Sequence, residues 1–309
     1  VAFPVLLELT RWMQILPVVH QLDPAMRLSL ALFLTLVITL PTLAHPGMGI
    51  VRDSRGNVFY TDLTHVWKIR PDGRKSIAVR NVHTHELYLD AQDNLYGEHL
   101  WYESGRDRWS HRVWCLRANG QLVDVIPSRE GFLYNYHDFS FVRDAAGNLY
   151  FRDSPGNDRV RKRLSNGQVV LATPTRFSNL RSMTTAPDGT LYLLDGPDLK
   201  RLDPNGQVHT LARNLREQVA ALSFAGDAHN LMGLWLDRLH NVYVAVYGGA
   251  MVKKITPNGM VSVVARTSLP WSPTGGLVAP NGDLWLLEYS LTNAARVRRI
   301  LTNGTELVY

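Results

Sequence analysis

The sequence predicts an all-β fold: a six-bladed β-propeller made of four-stranded antiparallel blades. Three observations lead there: the frequency of turn formers and two signatures that recur six times. No long helical pattern appears after residue 45, whereas the 309 residues include 23 Gly and 16 Pro. That mixture suits many short strands.

The first signature is a short strand, a turn and an aromatic-rich strand. Its turn residues are Gly56, Asp93, Gly147, Gly189, His240 and Gly282. The strands that follow begin Val58-Phe59-Tyr60, Leu95-Tyr96, Leu149-Tyr150, Leu191-Tyr192, Val242-Tyr243 and Leu284-Trp285. The second signature is a mostly basic strand ending in a tight turn: Trp67-Lys68-Ile69, Trp114-Cys115-Leu116, Lys162-Arg163-Leu164, Lys200-Arg201-Leu202, Lys253-Lys254-Ile255 and Arg298-Arg299-Ile300. Its turns read Asp72-Gly73, Asn119-Gly120, Asn166-Gly167, Asn205-Gly206, Asn258-Gly259 and Asn303-Gly304. Such pairs predict hairpins whose two central residues both take positive φ. A short apolar strand closes each copy.

One such sheet cannot bury both of its faces, but radial stacking lets each sheet cover the next. The turn residues are spaced by 37, 54, 42, 51 and 42, which puts insertions at Trp101–His111 and around Gly226–His229. The repeat begins with an innermost strand and ends with an outermost one. Closure is therefore expected from packing of blade one on blade six rather than from a shared strand.

Residues 1–44 stand apart. Met26-Arg27 precedes an uncharged run from Leu28 to Leu40, then Pro41-Thr42-Leu43-Ala44. These are the three parts of a secretory signal. We expect a signal peptide at 26–44 cut after Ala44, with residues 1–25 upstream of the true start. The mature propeller, 45–309, is then periplasmic or secreted and without a stable membrane span, the run being short for crossing a bilayer.

The net charge of +6 is spread over the repeats and not interleaved with aromatics, which argues against a nucleic-acid partner. The single cysteine, Cys115, excludes an intrachain disulfide, and its strand context reads as packing.

The repeat, Asp followed three residues later by Gly-Asn and an aromatic strand, resembles the NHL-repeat propellers. It is also similar to the gluconolactonase and senescence-marker-protein superfamily. The latter resemblance implies a divalent metal held by a Glu in a Glu-Gly-Pro segment, an Asn eight residues before a blade turn, and an Asp ending a second strand. In this chain the opening segment is His45-Pro46-Gly47. The positions eight before the turns are Met48, His85, Phe139, Arg181, Met232 and Thr274, and Asp195 matches the family's Asp.

Chemistry is expected where the segments leading into the inner strands meet the loops after the second strands, around the axis. His83 and His85 alternate on one strand face. With Glu98, and with His137 or His229 completing the set, they make a candidate centre for zinc or calcium that would acidify a bound water. Arg181 would orient an anionic substrate and Asp195 act as general base. Trp101, Trp271, Glu288 and Asp153 are candidate substrate contacts. This predicts a metal-dependent hydrolase or lyase, lactonase-like, acting on a small polar molecule. The alternative is a non-catalytic propeller of the NHL kind that binds a peptide or glycan.

Overall fold

The computed structural model describes residues 46–153, 158–225 and 229–309, with only the backbone for 223–225. The signal peptide expected at 26–44, the start at Met26, His45 and the centre of the second insertion lie outside the described residues. No helix among them is long and apolar enough to cross a membrane.

Six antiparallel sheets follow one another along the chain, each ordered first strand to last as the sequence runs. Five have four strands; in the third blade the innermost strand is reduced to a bridge between Arg143 and Leu149.

The inner turns are fixed by local chemistry. Asp144 accepts from the Asn148 amide at 2.9 Å, from Asn148 Nδ2 at 2.7 Å and from Tyr150 Oη at 3.0 Å. Asp90 and Asp237 repeat this with Asn94 and Tyr96, and with Asn241 and Tyr243. Four of the six turn residues are glycines at positive φ, and the two exceptions, Asp93 and His240, also take φ of 59°.

The outer turns correct one expectation. Only the glycine of each Asn-Gly or Asp-Gly pair has positive φ. Gly73 N donates to Arg70 O while Arg70 N donates to Arg74 O, the pattern of a three-residue loop closed by a left-handed glycine. The proline that opens three of these turns, as at Pro71, locks φ negative and forbids the two-residue form. In five of the six turns the Asn or Asp accepts from the amide two residues on, as Asn166 Oδ1 does from Gln168 at 3.0 Å; in the fifth blade Thr256 Oγ1 takes the Met260 amide instead.

The core is divided among the gaps between blades. Blades four and five share Leu194, Leu199, Val244 and Ile255, and blades six and one share Tyr60, Ile69, Leu287 and Tyr289. The gap between blades two and three is thinnest, with Val113, Leu133 and Phe139 as its buried residues. Arg143 fills it by stacking over Phe139 at 4.2 Å and Tyr88 at 4.7 Å.

The basic third strands serve the same packing. Lys68, Lys162, Lys254 and Arg299 lie 5.0–5.8 Å over Phe59, Tyr150, Tyr243 and Trp285 of their own second strands. Cation–π contact thus gives the third-strand cations of four blades a packing role.

Closure is by packing, as expected. Thr274 Oγ1 donates to Gly47 O at 2.7 Å and Tyr289 Oη to Thr61 O at 2.9 Å. The seam is tight: a Cβ on Gly275 would lie 2.2 Å from Met48 O.

Candidate functional site

The six positions eight residues before the inner turns form a ring at one end of the axis. Five of them, Met48, His85, Phe139, Arg181 and Met232, line a cavity of about 600 Å³. The sixth, Thr274, is buried in the seam.

One residue further on the ring narrows. Its members are Gly49, Glu86, Ser140, Ser182, Gly233 and Gly275. The glycines let neighbouring inner strands approach, since a Cβ on Gly233 would meet Thr274 O at 2.6 Å. Glu86 is the one large side chain in this tier. It lines both the cavity and a deeper space of about 220 Å³ on the axis.

The second strands add a third tier, five residues past the turns: Thr61, Glu98, Arg152, Leu194, Ala245 and Leu287. Four of these are fully buried between blades. Glu98 and Arg152 line the cavity. The lid over Glu98 is the loop after blade two's last strand, which brings in Leu133 and Tyr134. It is fastened by Arg129 on Asp138 at 2.6 and 2.7 Å and by His111 Nδ1 with Gly131 O at 2.7 Å.

Burial pushes the Glu98 carboxyl up to about 7, and the neighbouring Glu86 pushes it the same way, against a hydrogen bond from the Leu133 amide and the Arg129 charge. Glu98 Oε1 is buried with no hydrogen-bond partner among the described residues. Burial also holds Glu86 above the ordinary carboxylate value. Two carboxyls that resist ionisation thus share one cavity, and such groups are candidates for proton transfer.

Of the expected site residues, the structure gathers His85, Glu98, Arg181 and His229 around the cavity. The others are placed elsewhere. Asp153, Asp195 and Glu288 sit six residues past their turns, on the opposite sheet face from the Glu98 position, because side chains alternate along a strand. Asp195 pairs with Lys200 at 2.9 Å and accepts from the Ser178 and Asn179 amides at 2.8 Å. Burial opposes its ionisation, but these partners outweigh it and hold the carboxyl low, unsuited to a general base. Glu288 is fully buried against Arg296 at 2.7 Å and Arg298 at 2.8 Å. Asp153 pairs with Arg161 at 3.2 Å.

Trp271 lies under Arg296 at 4.3 Å, and Trp101 stacks on His99 at 5.0 Å. Neither lines the cavity. His83 stands edge to face with His85 at 4.7 Å, and its Nδ1 is 3.0 Å from Leu63 O. His137 packs edge-on to Phe151 at 5.2 Å.

Among the described residues no three His, Cys, Asp or Glu side chains converge to hold a metal ion. The set His83, His85, Glu98, His137 and His229 therefore does not fit the expected zinc or calcium centre: the Leu63 carbonyl engages His83, and His137 is turned into the packing against Phe151. Glu86 is not among the residues expected at the site. Its signal was present, as the one residue other than Gly or Ser seven positions before a turn.

No protein-family model matches the chain, and no curated protein sequence matches it. Solved structures do. A gluconolactonase from Xanthomonas campestris superimposes with a TM-score of 0.54 and 15% identity, over 80% of this chain and 84% of that one. A putative gluconolactonase gives 0.52 and 17%, over 84% and 89%. A streptogramin B lyase gives 0.51 and 14%, over 86% and 84%. The chain is thus a six-bladed propeller similar in fold to gluconolactonases and to a streptogramin B lyase.

Proposed function

We propose that the axial cavity is the active site of an exported hydrolase or lyase, lactonase-like in reaction, with Glu98 as its acid–base group. The observation that carries this reading is the Glu98 carboxyl, pushed up to about 7 beside Glu86. A group poised near neutrality can both accept and return a proton during a turnover. Ionised Glu98 would take a proton from an attacking water, or from a carbon next to a carbonyl, and give it to the leaving oxygen. Arg181 and Arg152 would orient an anionic group or steady a developing oxyanion. His85 and His229 complete the polar wall. The fold likeness to gluconolactonases and a lyase is consistent with either reaction.

The experiment is a screen of lactones and esters with the wild-type protein and Glu98→Gln. We expect kcat to fall by about 100-fold or more in the variant, the usual scale for loss of a general base. Unchanged turnover would remove Glu98 from the chemistry.

One observation favours the binding-propeller reading. The rings of Tyr102, Trp109, Phe132 and Tyr134 follow each other at 5.3–5.8 Å down the long blade-two hairpin to the cavity rim. Such a ladder suits a glycan or peptide. Glycan retention without any turnover in the screen would favour it.

A further inference from the structure

The cavity wall is mostly apolar, which is unexpected for a site that would take a small polar molecule. Phe139, Phe151, Met183 and Met232 line it, together with Leu133 from the lid. A polyhydroxylated sugar acid placed here would set hydroxyls against these apolar side chains, where they find no partners.

The charged groups on the same wall are segregated. Both carboxyls, Glu86 and Glu98, come from blade two, and both guanidinium groups, Arg152 and Arg181, come from blades three and four. Arg152 pairs with Asp158 at 2.8 Å through Nη2, while its buried Nε has no acceptor among the described residues. A planar guanidinium with an unused donor is suited to a carboxylate.

From this arrangement we infer that the cavity takes an apolar carboxylate. The anionic head lies against Arg152 and Arg181, the hydrocarbon or aryl body against Phe139, Phe151 and Met232, and the reacting carbonyl toward Glu98. The reverse orientation would set the head against two acidic side chains. This inference deepens the reading above and rests on it for the identity of the site, but binding can be read without turnover.

The test is calorimetric titration of the Glu98→Gln protein with 4-phenylbutyrate, 4-phenylbutanamide and gluconate, repeated with Arg152→Gln and Arg181→Gln added. We expect phenylbutyrate to bind at least about tenfold tighter than its amide. We expect each arginine substitution to erase most of that preference, and gluconate to bind least. Equal binding of acid and amide, tighter binding of gluconate, or no binding of phenylbutyrate would overturn the inference. Because Glu98 is already replaced, the result is independent of whether Glu98 is catalytic. Thermal melts of the arginine variants separate loss of the head site from loss of fold, and the acid–amide comparison needs no arginine substitution.

Discussion

Glu98 and Arg152 hold the same place in consecutive blades, five residues past turn residues Asp93 and Gly147, and both line the axial cavity. The equivalent Thr61, Leu194, Ala245 and Leu287 are fully buried between blades. Two blades of six have thus turned a packing position into a charged one, and the two charges are opposite.

Glu98 should weaken the fold at neutral pH. Its carboxyl is raised from 4.5 to about 7 on folding. Between these values the folded state holds a proton that the unfolded state has released, so stability falls as pH rises through the window and stays low above it. The full effect is on the order of 3 kcal/mol. Glu98→Gln should therefore melt higher than wild type at pH 8, with little difference at pH 4. Equal gains at both pH values would mean the carboxyl is not raised.

If Glu98 acts as a base, kcat/KM on a reactive lactone should rise with pH and level off above about 7. Burial is the larger cause of the shift and Glu86 the second. Glu86→Gln should then move the midpoint down, by up to about one pH unit, while the profile keeps its shape. A midpoint that does not move would separate the two carboxyls.

Glu288 should behave as a structural residue. It is fully buried and bonded to Arg296, Arg298 and Thr267. Glu288→Ala leaves Arg298, itself 5% exposed, without its buried partner, and should cost about 3–5 kcal/mol in urea unfolding. Ligand affinity of the fraction still folded should be unchanged. An affinity loss with normal stability would return Glu288 to the site.

The inner-turn aspartates should set acid sensitivity. Burial raises Asp90, Asp144 and Asp237, but the hydrogen bonds from Asn94, Asn148 and Asn241 and their neighbours outweigh it and leave each below its ordinary value. A depressed carboxyl stabilises the fold above its unfolded value of 3.8, and that stability is lost as pH falls through the folded value. Replacing all three with Asn should flatten the decline in stability below pH 4, at the expense of about 1 kcal/mol per turn at neutral pH. A decline as steep as in wild type would place the acid-labile groups elsewhere.

Much of the architecture was readable because its causes are local. An Asp that bonds the Asn four residues on marks four of the copies, a turn residue at positive φ marks all six, and both act over one turn. Six marks gave six blades, their strand order and the packed closure. Counting from each turn also located the ring containing His85 and Arg181.

What counting left open was which neighbouring side chain enters the cavity. Shifting one residue along a strand reverses its face, so Asp195 and Glu288, one step past the Glu98 position, went into packing. Bulges near the inner-strand starts, between Leu180 and Met183 and between Leu231 and Leu234, add further shifts. The histidines were placed by the hydrogen bonds and ring contacts they found, such as His83 with the Leu63 carbonyl. The sequence alone determined the repeat and the ring, because turn chemistry is complete within a few residues. Only the tertiary structure decided that Glu86 and Glu98 share one partly enclosed cavity, because desolvation depends on atoms brought in by several blades at once.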